Sequence, residues 1–135
     1  EIYTLSLHDA LPILCVDAEK FHRALTNVLS NAFKYSPAGG DVRVQTLSGM
    51  VDGQPAVGVR VRDRGIGMTP AQVARIFDRF YRADPSGHIP GTGLGVSLVR
   101  EIVTLHGGAV EVDSRPGDGT DVTLWWPLSE ALQTP

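Results

Sequence analysis

Between Asp17 and Tyr35 the apolar residues Phe21, Leu25, Val28, Leu29 and Ala32 recur every three or four positions, which predicts a helix with one buried face. Asp17 stands where its carboxylate caps the free N–H groups of the first turn. Asn27, Asn31, Lys34 and Tyr35 repeat at the same spacing about a third of a turn round the helix, so two carboxamides and an ammonium line the edge of the apolar face. Asn is a poor helix-interior residue because its side chain competes for backbone hydrogen bonds. Two of them one turn apart are either incidental residues of a solvated face or contacts for something bound there.

Leu14 to Val16 reads as a short strand entering this helix, which ends near Ser36-Pro37 and Ala38-Gly39-Gly40. Alternation then predicts a strand through Val42, Val44 and Thr46, a turn over Gly49 to Pro55, and a second strand through Val57, Val59 and Val61. Asp63 continues the phase of the three valines. A carboxylate on a core-facing position is costly to desolvate unless a partner is supplied. The alternative is that the strand ends earlier and Asp63 only begins a turn. Thr69-Pro70-Ala71-Gln72 has the form of a capping box with Pro at the first helical position, and Met68 and Val73 are placed as a hydrophobic staple. The helix it opens would bury Val73, Ile76, Phe77 and Phe80 and expose Arg75, Arg79 and Arg82, as a solvated face or as anion contacts.

Ala83 to Gly91 has no periodicity and is rich in Pro, Gly and small polar residues, the composition of a mobile loop. It leads through Gly91-Thr92-Gly93-Leu94-Gly95 into a helix carrying Leu98, Val99, Ile102, Val103 and Leu105, stopped by Gly107-Gly108. Val110 and Val112 mark another strand, Arg115-Pro116-Gly117-Asp118-Gly119 a tight turn, and Thr120 to Pro127 a last strand. In that strand Val122, Leu124 and Trp126 share one face, Thr123 and Trp125 the other. Interleaved strands and helices joined by short turns predict an α/β domain of two layers, with the helices on one sheet face.

Composition narrows what such a domain does. The chain of 135 residues suits one domain able to bury about two thirds of its unfolded surface. Its 42% hydrophobic and 20% charged residues place it among globular chains. A net charge of −3 and a pI near 5.7 argue against nucleic acid or an anionic membrane surface as the main partner. Cys15 is the single cysteine, which excludes an internal disulfide and a CxxC metal site and fits a reducing, cytoplasmic compartment. No apolar run approaches the length of a membrane span. Residues 1–13, EIYTLSLHDALPI, resemble the in-frame translation of a common sequencing-adapter oligonucleotide and are set aside from the fold. That leaves residues 14–128 as the domain and 129–135 as a polar tail.

A glycine-rich run entering a helix, as at Gly91 to Gly95, presents unpaired N–H groups to an anion such as phosphate. Its spacing is not the dinucleotide fingerprint, which requires Gly where Val96 stands, and no GK[ST] P-loop is present. Five stretches occur in a specific order. Asn27 to Tyr35, Asp63 to Gly67, Ile76 to Arg82, and Gly91 to Gly95 resemble the N, G1, F and G2 boxes of the ATP-binding catalytic domain of sensor histidine kinases. Gly117-Asp118-Gly119-Thr120 resembles the later glycine turn of that domain, whose superfamily includes type II topoisomerases, the ninety-kilodalton heat-shock chaperone and MutL-type ATPases. The resemblance implies a Bergerat-type ATP-binding fold, a two-layer sandwich of a mixed five-stranded sheet with three helices on one face. The loop before Gly91 would be a lid.

By that resemblance Asp63 accepts the adenine amino group, and Gly65 and Gly67 shape the adenine pocket. Asn31 ligates Mg²⁺ through its amide oxygen, while Asn27, Lys34 and Tyr35 contact phosphates or the metal's waters. Gly91, Thr92, Gly93, Leu94 and Gly95 hold the phosphates, the last three through backbone N–H groups, and Thr120 joins the nucleotide site. Asn31 and Arg82 are the implied catalytic residues, Arg82 as a charge clamp on the γ-phosphate, with Arg79 a second candidate. The implied cofactors are ATP and Mg²⁺. The implied reaction is transfer of the γ-phosphoryl to a histidine on a separate dimerisation domain, with a response regulator downstream, in a cytoplasmic protein or the cytoplasmic portion of a membrane-anchored sensor.

No acceptor histidine of this kind is recognisable here. His8-Asp9-Ala10-Leu11-Pro12 superficially resembles the His-acid-x-x-x-Pro motif, but too few residues follow for its helical hairpin. His22 and His106 are expected to be structural or capping, and His88 is a minor candidate for a phosphate contact. Two other functions compete. One is a serine kinase of the anti-sigma-factor type, which usually has a base beside its N-box asparagine where this chain has Ser30. The other is a nucleotide-sensing module that binds ATP without transferring phosphate.

Overall fold

The computed structural model describes residues 16–36, 39–78, 81 and 95–128. Helix α1 (Ala18–Lys34) starts as its sequence predicts, with the Asp17 carboxylate accepting the Lys20 N–H at 3.1 Å. It buries Ala24, Val28 and Ala32, and Phe21, Leu25 and Leu29 pack beside them. Strands β1 (Arg43–Val51) and β2 (Gln54–Arg62) follow, then helices α2 (Pro70–Arg75) and α3 (Gly95–Leu105) and strands β3 (Ala109–Arg115) and β4 (Gly119–Pro127). The four strands lie in the order β1-β2-β4-β3 and every neighbouring pair is antiparallel.

Strand register explains the core. Val44, Val61, Val122 and Val112 form one cross-strand row, and Thr46, Val59, Leu124 and Val110 the next. These rows meet α1 and α3 in one apolar cluster that includes Ala24, Val28, Val99, Ile102, Val103 and Trp126. A second cluster joins Met68 and Ile76 to Tyr35, Val73, Phe77, Tyr81, Val96 and Val112. The staple expected of Met68 and Val73 therefore forms, as does the capping box of Thr69 and Gln72. Helix α3 stops at Gly107 (φ 75°), where the N–H of Gly108 reaches the Val103 carbonyl at 2.9 Å in a Schellman arrangement.

His106 joins the two long helices. Its Nε2 accepts the Asp17 N–H at 3.1 Å and its Nδ1 lies 2.8 Å from the Ile102 carbonyl. Only the neutral ring protonated on Nδ1 satisfies both. The ring meets Trp126 edge-on at 5.3 Å, and Phe21 meets the same indole at 4.9 Å. The histidine is a structural clip, as its sequence position suggested.

Three expectations need correction. The turn placed over Gly49 to Pro55 is only Asp52-Gly53, both at positive φ, and β1 and β2 pair right up to it. An Asp-Gly pair between alternating strands is a hairpin signal, because tight hairpin turns of this kind need two residues with left-handed backbone. Helix α2 ends at Arg75, so Ile76 is buried, and Phe77 partly buried, from a following turn and not from the helix. Leu105, expected in the apolar helix face, is 69% exposed. Of the mixed sheet of five strands expected, the described residues form four strands, every neighbouring pair antiparallel. The fifth, expected over Leu14 to Val16, lies outside them except for Val16, which is in no strand. The expected helix residues Arg79, Phe80 and Arg82 and the loop from Ala83 also lie outside the described residues, as do residues 1–13 and the tail.

On the sheet face away from α1, Trp125 lies across two glycines. A Cβ on Gly58, its direct partner, would stand 2.9 Å from the indole Cζ3, and one on Gly49 would stand 2.6 Å from two ring carbons. The glycines are the seat of the indole. Gly58→Val is therefore expected to cost about 1–3 kcal/mol of stability by overpacking. In a urea-melt double-mutant cycle, adding Gly58→Val to Trp125→Ala should cost little more than Trp125→Ala alone; full additivity would show that the ring is not the obstacle.

Candidate functional site

Strand β2 formally ends at Arg62, but the Asp63 N–H still bonds the Thr120 carbonyl at 2.9 Å, so the ladder carries this residue one step further. Its side chain keeps the inward phase of Val57, Val59 and Val61 and is only 7% exposed. Both hydrogen bonds it receives fall on Oδ1, from the Gly65 N–H at 2.8 Å and the Thr120 N–H at 3.2 Å. Oδ2 has no hydrogen-bond partner among the described residues. Burial pushes the Asp63 pKa above the ordinary carboxylate value, the two backbone donors pull it back, and Asp121 adds a smaller upward push.

The loop after Asp63 is strapped at both ends. Ile66 donates to the Tyr35 carbonyl at 3.0 Å and accepts from the Gly117 N–H at 2.7 Å, tying the loop to the end of α1 and to the β3–β4 turn. A Cβ on Gly65 would fall onto the Tyr35 carbonyl oxygen, and one on Gly67 (φ 68°) onto that of Arg115. These close approaches and the left-handed backbone require glycine. Gly67 lines the cavity described next, whereas Gly65 serves the packing against α1.

A cavity of ≈ 60 Å³ opens between α1, α3 and the inner sheet face. That is several times the roughly 10–15 Å³ that one water needs. Val28, Ala32, Val61, Met68, Ile76, Phe77, Val96, Val99, Val110, Val112 and Val122 make its apolar walls, and its side-chain polar groups come from Asn31, Tyr35, Asp63 and Thr120. The carboxamide of Asn31 makes no hydrogen bond to a described residue. A mostly apolar cleft with a few convergent polar groups suits a flat, partly polar ligand.

The structure thus gathers Asn31, Tyr35, Asp63, Gly67 and Thr120 of the expected site around one cavity. Asn27 lies beside the start of α3, where a Cβ on Gly95 would be 4.0 Å from its Cγ. Lys34 is exposed in the last turn of α1 and does not line the cavity. Gly91, Thr92, Gly93, Leu94, Arg82 and His88 fall outside the described residues. Of the arginine cluster, Arg62 grips Asp121 through two bonds of 2.9 Å, and Arg75 pairs with Asp78 at 3.2 Å while lying over the Tyr81 ring. No group of three or more His, Cys, Asp or Glu side chains able to hold a metal occurs among the described residues. The sequence reading missed Ser114, which binds the Met68 N–H at 2.8 Å, the Gly119 carbonyl at 2.9 Å and the Thr120 hydroxyl at 2.8 Å. Ser114 continues the inward phase of Val110 and Val112 as Asp63 continues that of Val61, and this shared anomaly was its signal.

Residues 16–130 match the family described as histidine kinase-, DNA gyrase B- and HSP90-like ATPase. The chain is 41% identical over 118 residues to the sensor histidine kinase WalK of Bacillus subtilis, covering 85% of this chain and 19% of that protein. It is 37% identical over 127 residues to the sensor protein KdpD of Escherichia coli, covering 94% of this chain and 14% of that one. The chain thus spans less than a fifth of these two relatives. Among solved structures it resembles the mycobacterial sensor histidine kinase MprB, with a TM-score of 0.69 and 33% identity over 84% of this chain and 76% of that one. It also resembles full-length ShkA in complex with AMPPNP, with a TM-score of 0.70 and 30% identity over 88% of this chain and 24% of that one. Cavity, inward carboxylate, matched sequence and matched fold agree: the chain belongs to the histidine kinase-, DNA gyrase B- and HSP90-like ATPase family, as an ATP-binding catalytic domain of the sensor histidine kinase kind.

Proposed function

We propose that this chain binds Mg-ATP and donates the γ-phosphoryl to a histidine on a separate helical-hairpin domain of a two-component sensor kinase, for onward transfer to a response regulator. The observation that carries it is Asp63, a buried carboxylate that lines an apolar cavity and has only one of its two oxygens held by backbone donors. Such a group has its cost repaid only by a ligand donor, and the exocyclic amine of adenine supplies one on a flat apolar ring. ShkA, a structural relative, was solved with AMPPNP, which supports the nucleotide reading. The relatives named above are sensor kinases, so neither the serine-kinase nor the non-catalytic alternative is favoured. We also read α2 as a third helix on the inner sheet face and a fifth strand before α1 as part of the fold.

Asn31 would hold Mg²⁺ by its amide oxygen, a hard neutral donor that no described residue engages. When bound, the ion would supply neutralisation of phosphate charge. Asn27, Lys34, Tyr35 and the N–H groups from Gly91 through Gly95 would orient the phosphates, and Arg82 would clamp the γ-phosphoryl. The incoming imidazole nitrogen forms the N–P bond as the bond from Pγ to the bridging oxygen breaks. ADP leaves with that oxygen, and the imidazole proton passes to solvent. The protein's part is position and charge, in a place we expect to be cytoplasmic.

The Asp63 reading has a stability consequence. Its raised native pKa means that its protonated form is favoured by folding; that contribution is complete below the ordinary value of 3.8 and is lost as pH rises through the native pKa. At neutral pH the ionised group is a net cost. Asp63→Asn keeps an acceptor for Gly65 and Thr120 without the charge, so its urea-melt stability should exceed that of the wild type at pH 7, the advantage vanishing in acid. The same substitution should weaken ATP binding about tenfold to a hundredfold by calorimetry. Unchanged ATP affinity would overturn the assignment.

Phosphoryl transfer is tested with radiolabelled ATP and a separately supplied hairpin domain. Acid-labile, base-stable phosphate should appear on the hairpin and not on this chain alone, slowly unless the two are fused. Asn31→Ala should abolish it. Label on His22 or His106, or acid-stable phosphate on a serine substrate, would contradict the proposal.

A further inference from the structure

The Ser114 hydroxyl has one hydrogen and is engaged three times. It accepts from the Met68 N–H at 2.8 Å, and it can only donate to the Gly119 carbonyl, 2.9 Å away. Its single hydrogen is thereby committed. The third contact, 2.8 Å to Thr120 Oγ1, is then satisfied only if Thr120 donates and Ser114 accepts. Thr120, which lines the cavity, has spent its own hydroxyl hydrogen on Ser114, and its backbone N–H is spent on Asp63 Oδ1. What remains unengaged on these two cavity-lining residues is the lone pairs of Thr120 Oγ1 and of Asp63 Oδ2.

We propose that Ser114 is a specificity-determining positioning residue: by taking the Thr120 proton it makes the Asp63–Thr120 pair offer acceptors only, so that a purine whose 6-amino group meets this pair is admitted and one with a 6-oxo group is refused. An unengaged Thr120 hydroxyl would do the opposite. It could rotate and donate to a 6-oxo group, and Asp63 alone would then be left to discriminate. Ser114 also fixes the geometry around this choice. Met68, which it binds, lines the cavity, and Gly119 (φ 82°) sits so close beneath Asp63 that a Cβ there would fall onto the Asp63 carbonyl oxygen. A site that must pair every buried polar group rejects a mismatched partner strongly, because the mismatch leaves two acceptors facing each other without a proton.

The inference rests on the nucleotide reading above, and the test separates the two. Dissociation constants for ATP and inosine triphosphate are measured by calorimetry on the chain and on Ser114→Ala, Thr120→Val and the double variant, with folding checked by thermal melts. The wild type should prefer ATP. Ser114→Ala should tighten inosine triphosphate about fivefold or more relative to ATP, because Thr120 regains a donor. Thr120→Val, which leaves Ser114 its bonds to Met68 and Gly119, should also relax the preference by removing an opposing acceptor. In the Thr120→Val background, Ser114→Ala should have no further effect on the ratio, which a merely structural role for Ser114 would not produce. A wild type that binds both nucleotides equally would bring down the adenine reading itself. An intact wild-type preference that is unchanged in Ser114→Ala, or unchanged in Thr120→Val should Ser114→Ala not fold, would overturn the role of Ser114 alone.

Discussion

A carboxylate taken out of water without a counter-charge is the constraint on which the rest of this structure turns. Asp63 is held there by two backbone donors on one oxygen, and each donor is itself part of a strap. Gly65 is pressed against the end of α1, and Thr120 is held at the start of β4 by the Asp63 N–H. Removing any strap would let the carboxylate swing towards water, where its solvation is far better than in an apolar cavity. Three of the fold's four tightest backbone approaches, at Gly65, Gly67 and Gly119, fall in this one region, the fourth being Gly108 against the Trp125 carbonyl at the end of α3.

Much of this was legible in the chain. The α1 cap and apolar stripe, the capping box of Thr69, the Gly107-Gly108 stop and the alternating valines are local patterns whose physical cause lies within a few residues, and each formed as read. Asp63 was legible for another reason: a charge in an apolar phase breaks a pattern. Non-local features were hidden. Nothing near Gly58 or Gly49 announces that Trp125, far along the chain, will lie on both, and the clip from His106 to Asp17 spans almost the whole domain. Ser114 carried the same kind of signal as Asp63, a polar residue in phase with valines, but a weaker one, since a neutral serine costs far less to bury than a charge and its three partners are non-local or lie across a turn. The length of α2 misled because Ile76 and Phe77 keep the helical spacing while leaving the helix, burial being satisfied equally well from a turn.

Electrostatics divides the proposed ligand between two kinds of recognition. An acidic chain must meet a polyphosphate with local charge, and the sequence offers many arginines for it. Two of them are already committed, Arg62 to Asp121 and Arg75 to Asp78. Both pairs are exposed and contribute little to stability, so their main effect is to withdraw positive charge from solvent-facing positions near the site. Under the proposed function, the Asn27 and Asn31 amides, the α1 lysine and a bound cation would share the phosphate end with the arginines that remain.

Helix α1 connects the two ends of that site. Asn27 and Asn31 stand on one stripe of it, Asn27 next to the first residue of α3, while the Tyr35 carbonyl at its C-terminus anchors Ile66 in the loop that lines the cavity. The helix is not free to shift alone, because its N-terminus is clipped through His106 to the end of α3 and its apolar face is set into the valine rows. A displacement at the Asn27 end must therefore be transmitted to the Asp63 loop or resisted by the core. Close packing favours the second, since interiors at crystal-like density yield little to small displacements. The cavity beside Asp63 is then a fixed reference, to which anything bound there must adjust.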